Sequence, residues 1–223
     1  MSSSFPVRPR QMALVIVDMQ RYFTQPDHPF GRLSSSRVEG GIAGYFERLD
    51  TAVIPHIQWL LRAFRQRACP IFYTQLGSHD AAGEDLPAWA RRINQSGRQA
   101  LGALVFPPFT ERSAEIDPRI APETDARILR KTTTGAVASS PLETDLRELG
   151  VTSVVVAGVL TPFCVTQTAR ELADRNFDVA IVEDASASLT VAAHSAALAA
   201  FAAIYGWVLA TRELIDALDR QPG

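Results

Sequence analysis

The chain has 223 residues, of which 47% are hydrophobic and 21% charged, so it is predicted to be a soluble globular protein rather than a disordered one. Its formal net charge of −2 gives no electrostatic basis for binding nucleic acid or an anionic membrane, and no apolar run reaches the roughly 20 residues of a membrane span. The opening segment, residues 1–11, lacks the apolar core of a secretory signal and is predicted to be a flexible lead-in. The two cysteines, Cys69 and Cys164, do not make a disulfide framework, which predicts reduced thiols in a cytoplasmic protein.

Short apolar runs alternate with helical patterns along the chain. Strands are predicted, in chain order, at residues 13–17, 71–75, 126–131, 153–158, 179–183 and 207–210. Helices are predicted between them at residues 50–67, 140–150, 164–175 and 190–205. Several strands are continuously apolar, which is typical of a parallel sheet that is buried on both faces. The alternation predicts an α/β sandwich with a mostly parallel sheet, and residues 1–223 are interpreted as one domain.

Two segments depart from this pattern. Residues 76–125 combine glycine, proline, Trp89 and charged residues without a clear period, so they are interpreted as a long loop region with a functional role. The predicted helix at 190–205 is alanine-rich and apolar on nearly every side, which indicates that it is either well buried or lies at a subunit contact. We therefore predict a homo-oligomer, either a dimer or a tetramer.

Three predicted strands lead to a reactive side chain. Asp18 follows the first strand, Lys131 ends the third, and Cys164 follows the fourth by a short turn and opens a helix. Ligands of open α/β sheets bind outside the carboxyl ends of the strands, so the three groups could share one site. A helix N-terminus and a lysine stabilise a thiolate, and a carboxylate can take the thiol proton and return it to a leaving amine. Each residue also has a structural interpretation, in which Cys164 is a small core residue, Asp18 a turn group and Lys131 a solvated cation.

Three segments of the chain resemble a known family. The segments LVIVDMQRYF, LRKTTTGAV and GVLTPFCVTQTARELADRNFDVAIVEDA are similar to the signatures of the isochorismatase-like cysteine hydrolases, in the same order, from about residue 12 to residue 210. The resemblance implies a Rossmann-like three-layer sandwich with about six mostly parallel strands flanked by helices. It also implies a catalytic triad of Asp18, Lys131 and Cys164. It further implies a cis Val159–Leu160 peptide that aims the N–H groups of Leu160 and Cys164 at a developing oxyanion.

The resemblance also implies a reaction. Cys164 would attack the carbon of a small non-peptide amide, carbamoyl or ureido compound, with Asp18 as base and then acid, while Lys131 holds the thiolate and orients the carboxylate. A covalent acyl-thiol intermediate would form, ammonia or an amine would leave, and water would release the acid. Two alternatives stay open. One is an isochorismatase-type ether or ester hydrolase, against which the cysteine argues. The other is a non-enzymatic, redox-sensitive thiol protein, for which Asp18 and Lys131 would be unnecessary.

Departures from the family pattern concern the metal and the substrate. Where the nicotinamidase branch carries an Asp-x-His metal motif, this chain has Gln75 in place of the aspartate and His79 as the one available histidine. His79 with Asp80 is too few ligands for a metal site, so no metal and no other cofactor is predicted. His79 is interpreted as a polar loop residue or, alternatively, as a substrate contact. The candidate substrate-binding residues are Phe23, Gln75, Trp89 and Phe163. The aromatic ones would line a small, mostly apolar pocket unless they belong to the core.

Overall fold

Six strands form a single sheet. The computed structural model describes residues 4–220, and its strands are β1 (Met12–Val17), β2 (Ile71–Leu76), β3 (Ala126–Lys131), β4 (Ser153–Val159), β5 (Asp178–Ala187) and β6 (Trp207–Leu209). They lie in the order β3-β2-β1-β4-β5-β6, and every neighbouring pair is parallel. Each predicted strand is present, and the predicted α/β fold is confirmed. The sheet is wholly parallel in the described part of the chain, where the sequence predicted a mostly parallel one.

The centre of the sheet is β1, which lies between β2 and β4. Every residue of these three strands is buried, and Val17 at the end of β1 pairs with Thr74 on one side and Gly158 on the other. Valine and isoleucine side chains fill both faces of the sheet, and this explains why the strands show apolar runs instead of alternation. The residues that follow β1 and β4 therefore emerge side by side at the carboxyl edge.

Helices flank the sheet and cover its apolar faces. In chain order they are α1 (Arg21–Thr24), α2 (Pro29–Ser35), α3 (Ala43–Arg48), α4 (Ile54–Arg65), α5 (Ala88–Leu101), α6 (Leu142–Glu148), α7 (Thr166–Ala173), α8 (Val191–Ala202) and α9 (Thr211–Asp219). The helices α4, α6, α7 and α8 lie within the four predicted helical segments. The stripe of Ile57, Leu60 and Phe64 on α4 is buried, as its helical spacing predicts. No helix within residues 4–220 is long and apolar enough to cross a membrane.

The interpretation of residues 76–125 as a long loop is wrong in its middle, because α5 occupies 14 of these residues. Along α5, Trp89, Ile93 and Leu101 recur at helical spacing and pack, partly buried, against the core. Asn94 takes the place of an apolar anchor, since its Oδ1 accepts from the N–H groups of Val105 (2.9 Å) and Phe106 (2.8 Å). The helical period is therefore present in the sequence, and the sequence analysis overlooked it.

The helix predicted at 190–205 is less buried than expected. Its observed form, α8, buries His194, Leu198 and Phe201, whereas Val191 is 79% exposed. Ile204, just beyond α8, is 71% exposed. Of the two alternatives, the one in which the helix is well buried within the chain is thus wrong, and its role in a subunit contact stays a prediction.

The predicted flexible lead-in, residues 1–11, needs a correction. Phe5 is buried, and its ring lies 5.5 Å from that of Trp207, measured between centroids. The segment Pro9–Gln11 forms a turn of 3-10 helix that leads directly into β1. The described part of the segment is therefore packed on the sheet, because Phe5 supplies apolar surface that the sequence reading overlooked. Residues 1–3 lie outside the described residues.

Gly158 provides a test of the close packing between β1 and β4. Its φ is +116°, and a Cβ there would lie 2.2 Å from the carbonyl oxygen of Val17. We expect Gly158→Ala to lower the free energy of unfolding by about 2–5 kcal/mol, because both the backbone conformation and the neighbouring strand oppose a side chain. Gly44→Ala in α3 is the control, since its Cβ would meet nothing within 4 Å, and we expect a change of less than about 1 kcal/mol. Urea unfolding measures both, and equal losses would contradict the steric argument.

Candidate active site

The candidate active site lies at the carboxyl edge of the sheet, where the strand order reverses. At that point β1 and β4 are neighbours although they are not consecutive, and ligands of open α/β sheets bind in this crevice. Asp18 directly follows β1, Lys131 is the last residue of β3, and Cys164 lies in a π-helical turn between β4 and α7. The fold brings these three residues together.

Asp18 and Lys131 form a buried ion pair. Lys131 Nζ is 2.8 Å from Asp18 Oδ2, and neither side chain is exposed. The same ammonium donates to the carbonyl oxygens of Thr133 (3.0 Å) and Thr134 (2.9 Å), so three oxygens surround its three hydrogens. Burial by itself lowers the pKa of Lys131, but the neighbouring Asp18 and Cys164 raise it, and the net pKa is above the usual value. The lysine is therefore a fixed cation and does not act as a base.

Thr74 holds the Asp18 carboxylate, although the sequence analysis did not single it out. Its Oγ1 donates to Asp18 Oδ1 over 2.6 Å. The N–H of Asp18 lies 3.2 Å from both the Oγ1 and the carbonyl oxygen of Thr74. This N–H contact accompanies a left-handed backbone at Asp18, with φ of 51°, which short polar residues tolerate better than others. A hydroxyl within the buried strand β2 is the signal that could have identified Thr74.

Cys164 is 5% exposed and interacts with both members of the ion pair. Burial raises the pKa of its thiol, the Lys131 cation lowers it, and the Asp18 carboxylate raises it again, so that the net pKa lies well above the usual value. The cysteine is therefore a thiol at neutral pH. This differs from the sequence argument, in which the helix N-terminus and the lysine favour a thiolate, because desolvation outweighs the lysine. Attack by this sulfur requires a base, and Asp18 is the adjacent carboxylate.

A cavity of about 500 Å³ opens on Cys164. Of the predicted substrate-binding residues, Phe23, Trp89 and Phe163 line it, and Phe163 is 56% exposed at its rim. Leu160 also lines the cavity, and the Val159–Leu160 peptide is cis, as predicted. The three aromatic residues therefore line a cavity that reaches Cys164, and their contact with substrate stays a prediction.

The prediction that Gln75 contacts substrate is wrong for this structure. Its side chain does not line the cavity, and its Nε2 donates to the carbonyl oxygen of Ala114 over 2.9 Å. Side chains alternate along a strand, so Gln75 points away from the side occupied by its neighbours Thr74 and Leu76. His79 is exposed, its ring packs edge-on against Phe109, and it does not line the cavity either.

The turn that carries Cys164 is braced by residues that the sequence analysis missed. Arg48 donates to Nε2 of His194 over 3.3 Å, and Nδ1 of His194 lies 2.8 Å from Thr161 Oγ1 in the turn. An arginine can only donate, so Nε2 is the acceptor and the proton of the neutral ring is on Nδ1. Burial and the Arg48 cation lower the pKa of His194 to about 4, which keeps the ring neutral. A buried histidine within an alanine-rich helix is the sequence signal for this contact.

Comparison with known proteins agrees with the fold and with the segments around the site. The family model described as "Isochorismatase domain" matches residues 12–213. The chain belongs to the isochorismatase family. This confirms the resemblance found in the sequence, and isochorismatase-family proteins are hydrolases, as predicted for this chain.

Relatives of this isochorismatase-family hydrolase are distant. A probable inactive nicotinamidase from Arabidopsis thaliana is 28% identical over 188 residues, which cover 84% of this chain and 86% of the relative. A ureidoacrylate amidohydrolase, RutB, from Methylobacterium radiotolerans is 26% identical over 225 residues, which cover 91% and 80%. The crystal structure of a cysteine hydrolase from Pseudomonas syringae pv. phaseolicola has a TM-score of 0.80 and 22% identity, with 98% and 99% of the two chains covered. This last likeness concerns the fold alone.

The raised pKa of Cys164 makes stability depend on pH. Above about pH 8.5 the unfolded thiol loses its proton while the folded thiol keeps it, so the unfolded state binds fewer protons and stability falls. We expect the free energy of unfolding to fall by about 1 kcal/mol per buried thiol between pH 8 and 9.5. Burial also raises the pKa of Cys69, to about 11, so Cys69 contributes a similar loss.

Urea unfolding across this pH range separates the two thiols. Each of the variants Cys164→Ala and Cys69→Ala should show a shallower decline than the wild type, and the double variant the shallowest. The comparison uses slopes, so a constant loss of stability from either substitution does not affect it. Equal slopes for the wild type and Cys164→Ala would contradict the raised pKa of Cys164.

Proposed function

We propose that this isochorismatase-family protein hydrolyses the C–N bond of a small non-peptide amide, carbamoyl or ureido compound, with Cys164 as the nucleophile. The observation that carries the proposal is the buried Asp18–Lys131 ion pair beside the side chain of Cys164, which lines a cavity. A thiol with a raised pKa needs a base, and the carboxylate is beside it. The name of the ureidoacrylate amidohydrolase relative supports cleavage of a C–N bond.

The proposed mechanism begins with proton transfer from Cys164 to Asp18 as the sulfur attacks the carbonyl carbon. The N–H groups of Leu160 and Cys164 donate to the oxyanion of the tetrahedral intermediate, and Lys131 balances the negative charge that passes between sulfur and carboxylate. Asp18 then gives its proton to the leaving nitrogen, and the C–N bond breaks to leave a thioester. Water attacks the thioester while Asp18 takes one of its protons. Release of the acid returns that proton to Cys164.

The alternative of a redox-sensitive thiol has less support. Cysteines that oxidise selectively have a low pKa and an accessible thiolate, whereas burial raises the pKa of Cys164. Among residues 4–220, no feature of the site favours ether or ester cleavage over amide cleavage. A cytoplasmic location and a homo-oligomeric state, either a dimer or a tetramer, stay predictions.

Substitution of the proposed nucleophile and base tests the mechanism. We expect Cys164→Ala and Cys164→Ser to lose about 10³-fold or more of kcat, because the covalent step is removed. Asp18→Asn keeps the shape but not the base, and we expect a loss of about 10²–10⁴-fold. Cys69→Ser is the matched control at the other buried cysteine, which lies just before β2, and its kcat should be unchanged. Ammonia release from a panel of primary amides, ureas and carbamates provides the assay, and near-wild-type turnover by Cys164→Ala would refute the proposal.

We also propose that the reaction needs no metal. Gln75 stands where the metal-binding branch has aspartate, and no group of three or more His, Cys, Asp or Glu side chains suited to a metal occurs in residues 4–220. Full activity should therefore persist after exhaustive dialysis against a chelator. Elemental analysis of the dialysed enzyme should show substoichiometric zinc and iron. Loss of activity that one equivalent of zinc restores would contradict this expectation.

A further inference from the structure

The cavity beside Cys164 has a composition that restricts what it can bind. Twelve of its sixteen lining residues are hydrophobic, and Arg37 is the one charged residue among them, all within the described part of the chain. The polar atoms of an amide can be met at the Cys164 end by the catalytic groups and the proposed oxyanion donors. Elsewhere a polar or charged substrate would lose its water without gaining partners. The cavity therefore favours an apolar body attached to the reacting amide.

The apolar wall of the cavity contains aromatic rings that pack on one another. The ring of Phe23 lies 4.7 Å from that of Phe30 in an edge-to-face arrangement, and the ring of Trp89 lies 5.5 Å from that of Phe106 in the same way. Phe23, Phe30 and Phe106 are each at most 6% exposed. These rings come from α1, α2, α5 and the segment after α5. The space is thus preformed, and at about 500 Å³ it has room for much more than an acetyl or carbamoyl group.

Arg37 gives the cavity a preference for the charge of its ligand. It is exposed, it lines the same cavity, and it has no ion-pair or side-chain hydrogen-bond partner among residues 4–220. An unpaired guanidinium at an otherwise apolar cavity favours a negative charge on the part of the ligand that reaches it and disfavours a positive one. Because Arg37 is exposed, we expect the preference to be modest.

We propose that the substrate is a primary carboxamide whose acyl half is a bulky aryl or alkyl group with a neutral or anionic far end. This inference rests on the proposed amidase function. The acyl half is the part assigned to the cavity, because the leaving group of a primary amide is ammonia, which needs no apolar subsite. The reaction adds water across the C–N bond and gives the apolar acid and ammonia, so no other reactant is required.

A homologous series of amides tests the inference. The kcat/KM for ammonia release should rise about fourfold per added methylene from acetamide through butanamide to hexanamide, and 3-phenylpropanamide should be among the best substrates. Ile93→Asn, which places a polar group in the wall, should flatten the series. Ile128→Asn is the matched control on β3, since Ile128 is 49% exposed and does not line the cavity, and it should leave the series unchanged. Amide hydrolysis with a flat or falling series would overturn the inference.

Charge at the far end is tested separately. For the wild type, kcat/KM should be about 2–5-fold higher for a hexanamide that ends in a carboxylate than for one that ends in a trimethylammonium group. In Arg37→Gln the two amides should have about equal kcat/KM. An equal ratio in the wild type and Arg37→Gln would refute the role of Arg37.

Calorimetry with the Cys164→Ala protein separates the cavity from the chemistry. The variant should bind 3-phenylpropanamide at least 10²-fold more tightly than acetamide, by the same burial of apolar surface. If the amides bind in this order but the wild type hydrolyses none of them, the cavity inference holds and the proposed reaction fails. If the variant does not prefer the larger amide, the cavity inference fails whatever the wild type hydrolyses.

Discussion

Asp18 and Lys131 face each other at 2.8 Å in a part of the protein that water does not reach, and the surrounding contacts follow from that burial. Removing one partner of such a pair leaves an uncompensated charge, which typically costs about 3–5 kcal/mol. The protein offsets the desolvation with two carbonyl oxygens at the ammonium and the Thr74 hydroxyl at the carboxylate. Asp18 follows β1, Thr74 lies in β2 and Lys131 ends β3, so the ion pair and its hydrogen bonds join the carboxyl ends of three strands.

On the other side of Cys164, a second polar network fixes the turn between β4 and α7. Arg48 donates to the carbonyl oxygens of Glu183 and Ser186 as well as to His194, and His194 in turn meets Thr161. Cys164 thus lies between two polar networks, one a buried ion pair and the other a partly buried arginine that contacts a neutral histidine. This arrangement can keep the thiol and its neighbouring N–H groups in one geometry without any contact between substrate and the supporting residues.

The sequence contains enough information for the sheet and the three reactive residues, because strands buried on both faces appear as apolar runs whose ends define one edge. It also contains the helical spacing of Trp89, Ile93 and Leu101 in α5, which the sequence analysis overlooked. The sequence could not orient Gln75, because a single position on a fully buried strand gives no phase for the alternation. Thr74 and His194 were missed for a related reason. The role of a buried polar side chain depends on its hydrogen-bond partners, and here these partners are distant in sequence.

The raised pKa of the Cys164 thiol and the proposed preference for a bulky acyl group have a common physical origin, which is the exclusion of water from the cavity. Apolar residues around the cavity withdraw water from Cys164, which raises the pKa of its thiol and makes a neighbouring base necessary. The same withdrawal strengthens the interaction of Lys131 with any negative charge that develops on sulfur or carboxylate. A bulky acyl group would complete the exclusion of water by filling the cavity, whereas a small amide would leave it open. On this view the apolar wall contributes to the chemistry as well as to recognition, because both depend on keeping water away from the sulfur.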